Sequence, residues 1–236
     1  MRPPIAFIVG YGPGVGAAVA RRLKNDGFFV AVASRRVKPG PDTSDPHDYD
    51  LGIRLDMAKP EDVGPAFSEV EEELGRPPSL VVYNAAAYAG APGGRSDPLS
   101  LSFNDFQYGV SVTGINAFQV AKYANAGFDR LSQTLSSDAP KAFVAVGNVL
   151  PWYSMPQALG SSAGKRVLAN IVEASASAYG PLGKRFYYAY EVNSKGGPVR
   201  SPDPATHADV ISQLYKQKDQ GQWDVRFAKG LENQTP

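Results

Sequence analysis

One stretch, Gly10-Tyr11-Gly12-Pro13-Gly14-Val15-Gly16, restricts what this chain can fold into more than any other. It follows the apolar run Ile5-Ala6-Phe7-Ile8-Val9 and opens the helix-compatible Ala17-Ala18-Val19-Ala20-Arg21-Arg22-Leu23. The apolar run reads as a short strand buried on both faces, and a helix that starts this soon after it needs a glycine turn. In that arrangement the glycines let the backbone approach a pyrophosphate, while the free N–H groups and dipole of the helix start face its negative charge. The order strand, turn, helix separates a phosphate cradle from a merely tight turn. Gly10, Gly12, Gly14, Val15 and Gly16 are the first candidate binding residues.

The same alternation continues along the chain. Gly27 stops the first helix, and Phe28 to Ala33 reads as a second buried strand running into Ser34-Arg35-Arg36. Pro39, Pro41 and Pro46 make a crossover helix improbable between Val37 and Gly52, so a loop is expected there. Ile53-Arg54-Leu55 reads as a short strand leading to Asp56 and Met57, and Pro60 begins an amphipathic helix through Leu74 whose Glu71-Glu72-Glu73 run is a solvated face. Ser79 to Tyr83 is a fourth strand, ending in Asn84-Ala85-Ala86-Ala87. The spacing of Phe106, Val110, Phe118 and Ala121 predicts one long helix over Phe103 to Leu135. Ala142 to Val146 is a fifth strand, Ser162 to Tyr179 a second long helix and Arg185 to Val192 a sixth strand. Thr206 to Lys218 resembles a helix, and Trp223 to Phe227 a final edge strand. The pattern predicts an α/β fold: a Rossmann-type doubly wound, mainly parallel sheet of about seven strands with helices on both faces.

With 236 residues, 43% of them hydrophobic and 20% charged, the chain suffices for one α/β domain, and no break in composition asks for two. A net charge of +1 leaves no basic excess for nucleic acid. The apolar start is too short for a membrane span or a signal-peptide core, so the expectation is a soluble cytoplasmic protein with no membrane partner. The absence of cysteine removes thiolate nucleophiles and thiolate metal sites, and is silent on redox compartment. Asp42, Asp45, His47 and Asp48 read as a solvated acidic loop in preference to a metal site, so no metal is expected. The other histidine, His207, falls in the last helix region and reads as a surface or cap residue.

Taken in order, Gly10, Gly14 and Gly16, then Asp56, then Asn84-Ala85-Ala86, then Gly196-Gly197-Pro198-Val199-Arg200-Ser201-Pro202 resemble the short-chain dehydrogenase/reductase superfamily over almost the whole length. The resemblance implies a Rossmann fold, an NAD(P)(H) cofactor and hydride transfer to or from a small-molecule carbonyl. It implies that Asp56 and Met57 lie beside the adenine and that Asn84, Ala85 and Ala86 close the fourth strand against the cofactor. Gly197, Val199 and Ser201 would hold the nicotinamide amide. At the end of the second strand, Ser34 and Arg35 stand where an acidic residue would grip the 2′-hydroxyl of NAD, so NADP(H) is the expected cofactor. Relatives in this family build dimers and tetramers through the two long helices, which implies a homo-oligomer. Small residues such as Ala169, Ala174, Ala176 and Ala178 are equally explained by burial within one chain.

The family's chemistry uses a Tyr-x-x-x-Lys pair, an upstream serine and an asparagine on the preceding helix. A phenol of pKa about 10, brought towards neutrality by an ammonium, donates a proton as the oxyanion develops. Here Lys165 remains, while Ser161 stands in the tyrosine slot, Asn148 in the serine slot and Ser111 in the asparagine slot. An aliphatic hydroxyl is too weak an acid to replace the phenol, a loss worth on the order of a hundred- to ten-thousand-fold in rate. Lys165 would still bind the nicotinamide ribose, and Asn148 would offer an N–H to a substrate oxygen. Tyr153, in the loop from Leu150 to Pro156, is a substitute acid or else lines an apolar pocket with Trp152 and Met155; Tyr88 is a weaker candidate of the same kind. Three readings follow. The first is an NADP(H)-dependent oxidoreductase acting on an iminium or activated carbonyl or enone. The others are a repurposed catalyst of isomerisation, cyclisation or elimination, and a non-catalytic NADP-binding protein.

Overall fold

The computed structural model describes residues 2–42, 48–134, 139–153 and 155–229. Among these residues eight strands form one sheet: β1 (Ile5–Val9), β2 (Phe29–Ser34), β3 (Gly40–Pro41), β4 (Leu51–Arg54), β5 (Leu80–Tyr83), β6 (Ala142–Val146), β7 (Arg185–Glu191) and β8 (Asp224–Phe227), in the order β3-β4-β2-β1-β5-β6-β7-β8. Every pairing is parallel except that of β3 with β4. The sheet therefore has one strand more than the sequence suggests. The addition lies within the expected loop over residues 37–52, where Gly40 and Pro41 pair antiparallel with Gly52 and Leu51 at the sheet edge, a place where proline's missing N–H is tolerated.

Because side chains alternate across a strand, β1 feeds two layers. Ile5, Phe7 and Val9 pack with Val63, Phe67 and Val70 of α2 (Val63–Leu74), Val120 and Phe128 of α4 (Ala117–Thr134), and Leu168 and Val172 of α5 (Leu159–Tyr179). Ala6 and Ile8 pack on the other face with Val19, Ala20 and Leu23 of α1 (Val15–Asn25) and Ile211 and Leu214 of α6 (Pro204–Lys216). Apolar strands covered on both faces are the physical signature of a parallel sheet. Successive crossovers move outward from β1 to β2 and β4, then restart on its other side with β5, so the order reverses between β1 and β5. A crevice opens at such a point beyond the strands' C-terminal ends.

The expected single helix from Phe103 is interrupted. It comprises α3 (Phe103–Val110), a π-helical turn (Ser111–Ile115) and then α4, with Asn116 N–H donating to the Ser111 carbonyl at 2.9 Å; the expected last residue, Leu135, lies outside the described residues. Helical periodicity cannot reveal one extra residue in a turn, which is why the interruption is silent in the sequence. It is packed directly on α5: a Cβ on Gly114 would stand 2.4 Å from the Gly164 carbonyl oxygen. Gly114→Ala should therefore cost about 1–3 kcal/mol in urea unfolding, because backbone cannot yield as a side-chain end can. An unchanged midpoint would show that the two helices slide apart freely.

Candidate active site

The first turn is built as its glycines require. Gly10 has φ +99°, and its N–H and that of Tyr11 both donate to the Ala33 carbonyl of β2, at 2.9 and 3.0 Å. The Asn84 side chain donates from Nδ2 to the Gly10 carbonyl at 2.9 Å, tying the end of β5 to the turn. Gly14 caps α1 without any side-chain hydrogen bond, and a Cβ at Gly12 or Gly14 would meet no atom within 4 Å. An uncapped helix start behind open glycines is a cradle for an anion.

A cavity of about 430 Å³ lies at the crevice between β1 and β5, lined by Gly10, Tyr11, Ser34, Arg35, Asp56, Met57 and Asn84 to Tyr88, with Tyr108 and Val112 on the far side. Seven of the residues expected to hold a dinucleotide meet here: Gly10, Ser34, Arg35, Asp56, Met57, Asn84 and Ala85, with Ala86 an eighth. Asp56 accepts the Ala58 N–H at 3.0 Å, and Asn116 Nδ2 donates to the Met57 carbonyl at 2.7 Å, so the π-helical turn and the loop after β4 hold this wall together. Arg35 is exposed and reaches Tyr108 Oη at 3.4 Å.

A second cavity of about 340 Å³ shares Ala86, Ala87 and Tyr88 with the first. Its further lining includes Thr113, Asn148, Val149, Leu150, Met155, Ser161, Lys165, Glu191, Pro198 and Val199. Lys165 is 6% exposed and donates from Nζ to the Val146 carbonyl at 2.8 Å; burial pulls its pKa down to about 8. Ser161 is engaged by backbone: its hydroxyl accepts the Ala89 N–H at 3.1 Å and donates to the Ala87 carbonyl at 3.3 Å. Thr113 Oγ1 clasps the same residue, accepting the Ala87 N–H at 3.0 Å and donating to its carbonyl at 3.3 Å. Asn148 accepts the Leu150 N–H on Oδ1 at 3.0 Å, leaving the amide N–H groups for a ligand, and its backbone is clamped at both ends by Tyr188 Oη at 3.0 and 3.1 Å.

Several expected residues fall elsewhere. Ser111 lines neither cavity; its carbonyl closes the π turn, while its neighbours Val112 and Thr113 face the two cavities. Tyr153 is half exposed and lines a third cavity of about 370 Å³ with Trp152, Tyr190, Asp224 and Arg226, whereas Tyr88 borders both halves of the main cleft. Trp152 explains the divergence: its ring stacks on Tyr190 at 4.8 Å and turns that part of the loop towards β8. Gly12, Gly14, Val15 and Gly16 belong to the turn and helix start beside the first cavity without lining it; Gly197 precedes the lining residues Pro198 and Val199, and Ser201 precedes the lining residue Pro202. Asp45 and His47 lie outside the described residues; Asp48 accepts from Tyr11 Oη at 3.4 Å and pairs with Arg21 at 3.6 Å.

His207 corrects the sequence reading. It is 2% exposed, with its ring edge-on to Phe227 at 4.9 Å, because Thr206 to Ala208 turn inward at the start of α6. The residue missed altogether is Glu191, 6% exposed at the end of β7 and lining the second cavity. Its signal was available: a carboxylate closing Arg185-Phe186-Tyr187-Tyr188-Ala189-Tyr190-Glu191 stands where a buried strand meets the crevice.

Comparison with known proteins agrees with this geometry. No protein-family model matches the chain. The short chain dehydrogenase/reductase dmxR12 of Cryptosporiopsis sp. (strain 8999) is 30% identical over 240 residues, covering 98% of this chain and 94% of that one. Among solved structures, a dehydrogenase/reductase from Sinorhizobium meliloti 1021 superposes with a TM-score of 0.76 at 20% identity, covering 99% of this chain and 96% of its own. A variant of the actinorhodin polyketide ketoreductase, solved with NADPH, gives 0.75 at 16% identity over 98% of both chains. The structures share the fold, and the full-length identity with dmxR12 goes further: this chain belongs to the short-chain dehydrogenase/reductase superfamily of oxidoreductases.

Proposed function

We propose that the chain is an NADP(H)-dependent oxidoreductase that reduces a small, already electrophilic substrate, an iminium or an activated carbonyl or enone. The observation that carries this reading is the position of Ser161, whose hydroxyl is held between the Ala87 carbonyl and the Ala89 N–H in the slot where the family places its phenolic acid. A hydroxyl so engaged anchors the wall of the cleft and has no acidity to lend a carbonyl. An iminium accepts a hydride without any proton donor, and an activated carbonyl or enone needs less help than a simple ketone.

Bound along the two cavities, the dinucleotide would supply the hydride. The chain's own residues bind and orient. Gly10 to Gly16 and the start of α1 take the pyrophosphate, Asp56 and Met57 take the adenine side, and Asn84 to Ala86 form the floor between the two halves. Lys165 supplies a buried cation for the ribose, Asn148 offers amide N–H groups to a substrate atom, and Val199 with its neighbours Gly197 and Ser201 borders the nicotinamide end. Val149, Leu150 and Met155 keep the substrate side apolar and exclude water.

Arg35 at the end of β2, with Ser34 beside it, supports NADP(H) over NAD(H), since a guanidinium there pairs with a 2′-phosphate and no carboxylate competes for the ribose. The NADPH in the ketoreductase neighbour is consistent with this choice. Arg35→Ala should weaken NADPH by about ten-fold or more while leaving NADH within about two-fold. Equal losses, read by quenching of cofactor fluorescence, would remove the 2′-phosphate assignment. Incubation with imines, enones and carbonyls tests the reaction itself. NADPH consumed with a reduced product supports the reading, whereas product formed with NADPH unchanged would transfer the site to non-redox isomerisation, cyclisation or elimination.

A further inference from the structure

Glu191 is a buried carboxylate to which the reading above gives no part. It ends β7, lines the cavity that holds Lys165, Asn148 and Val199, and is 6% exposed. Its Oε2 accepts the Asp203 N–H at 2.6 Å, and His207 Nδ1 stands 3.7 Å from the same oxygen. That ring nitrogen also lies 2.9 Å from the Asp203 carbonyl, which can only accept, so Nδ1 carries the proton. The imidazole is 2% exposed, and burial holds its pKa below the ordinary histidine value, which disfavours a second cation beside the carboxylate. Lys229 pairs directly with Asp203 at 2.7 Å, and its ammonium also feels the Glu191 carboxylate, without a hydrogen bond to it. A strand end that needed only packing would carry an apolar residue, since a buried charge is expensive unless something uses it.

We propose that Glu191 is an electrostatic partner of the nicotinamide ring, binding the oxidised cofactor in preference to the reduced one. The inference rests on the NADP(H) reading above. Hydride transfer to a substrate carbon removes two electrons and a proton from a neutral ring and leaves that ring with one positive charge. A fixed negative charge in the same partly dry cavity is attracted to the charged ring and indifferent to the neutral one. The same attraction stabilises the charge as it develops, so Glu191 favours delivery of hydride to the substrate. Lys165, in the lining of the same cavity, opposes part of this effect.

The test is the pair of dissociation constants for NADPH and NADP⁺, measured by calorimetry on the wild-type chain and on Glu191→Gln, which keeps an amide oxygen for the Asp203 N–H. The constant for NADP⁺ should rise about ten-fold while that for NADPH changes less than about two-fold. Equal weakening of both would mean that Glu191 only holds the loop before α6, and an unchanged ratio would likewise overturn the proposal while the cofactor reading stands. If the wild-type chain binds neither form, the NADP(H) reading falls and this inference with it. Should Glu191→Gln fail to fold, Glu191→Asp retracts the charge by one methylene and should weaken NADP⁺ selectively, by about two- to three-fold; a matching shift in NADPH would again overturn the proposal.

Discussion

Gly10→Ala should lose about 2–4 kcal/mol of stability and, with it, dinucleotide binding. Two penalties coincide at this residue. Its φ of +99° is one that an L side chain rarely adopts, and an added Cβ would lie 2.3 Å from Ala85 N and 2.6 Å from the Asn84 carbonyl carbon. Both obstacles are backbone at the end of β5, so relief requires parting β5 from the turn and breaking the Asn84 Nδ2 bond to the Gly10 carbonyl. Because the same contact shapes the floor of the main cleft, stability and binding should fall together. Urea unfolding and NADPH fluorescence measure the two; a midpoint within experimental error of wild type would refute the packing argument.

Lys165→Met should do the opposite to stability and the same to function. Burial lowers the Lys165 pKa from 10.5 to about 8, so between those values the unfolded chain binds more protons than the folded one. Stability from this group is therefore fully present above the unfolded value and is lost as pH falls through about 8. Methionine fills similar volume without a charge. At pH 7 the variant should be more stable by about 2 kcal/mol, after allowance for the lost bond to the Val146 carbonyl, and the gain should shrink as pH rises towards the unfolded value. NADPH-dependent turnover should fall on the order of a hundred-fold or more as the ribose and the reacting end lose their positioned cation. A variant no more stable than wild type at pH 7 would show that the ammonium is not costly, and one that turns over normally would show that it is not used.

The parts of the site legible in the sequence are those where one residue type answers one local geometry. Gly10 answers a positive φ and a close approach, Asn84 closes a strand against that turn, and Arg35 follows a strand whose end carries no carboxylate. Where position depends on packing between distant segments, the sequence was silent or misleading. The π turn inserts one residue without disturbing helical spacing, yet it sets Val112 and Thr113 towards the cleft and Ser111 away from both cavities. Tyr153 sits two residues from Met155, and only the Trp152–Tyr190 stack decides that one faces a separate cavity and the other the main cleft. His207 has the polarity of a surface residue, and Phe227, brought over it by β8, makes it a core residue.

By itself the sequence determined the architecture and the place of the cleft, because alternating buried strands and amphipathic helices, with a glycine turn after the first strand, admit few other arrangements. Only the tertiary structure decided which side chains share the cleft. It set Glu191 and Lys165 in one cavity, engaged Ser161 with the backbone of Ala87 and Ala89, and buried His207 beside the carboxylate. The reason is physical: a strand or helix is specified by neighbours a few residues away, whereas the cleft is formed at the ends of β1, β2, β5, β6 and β7 and by α5, whose mutual approach depends on how their faces pack.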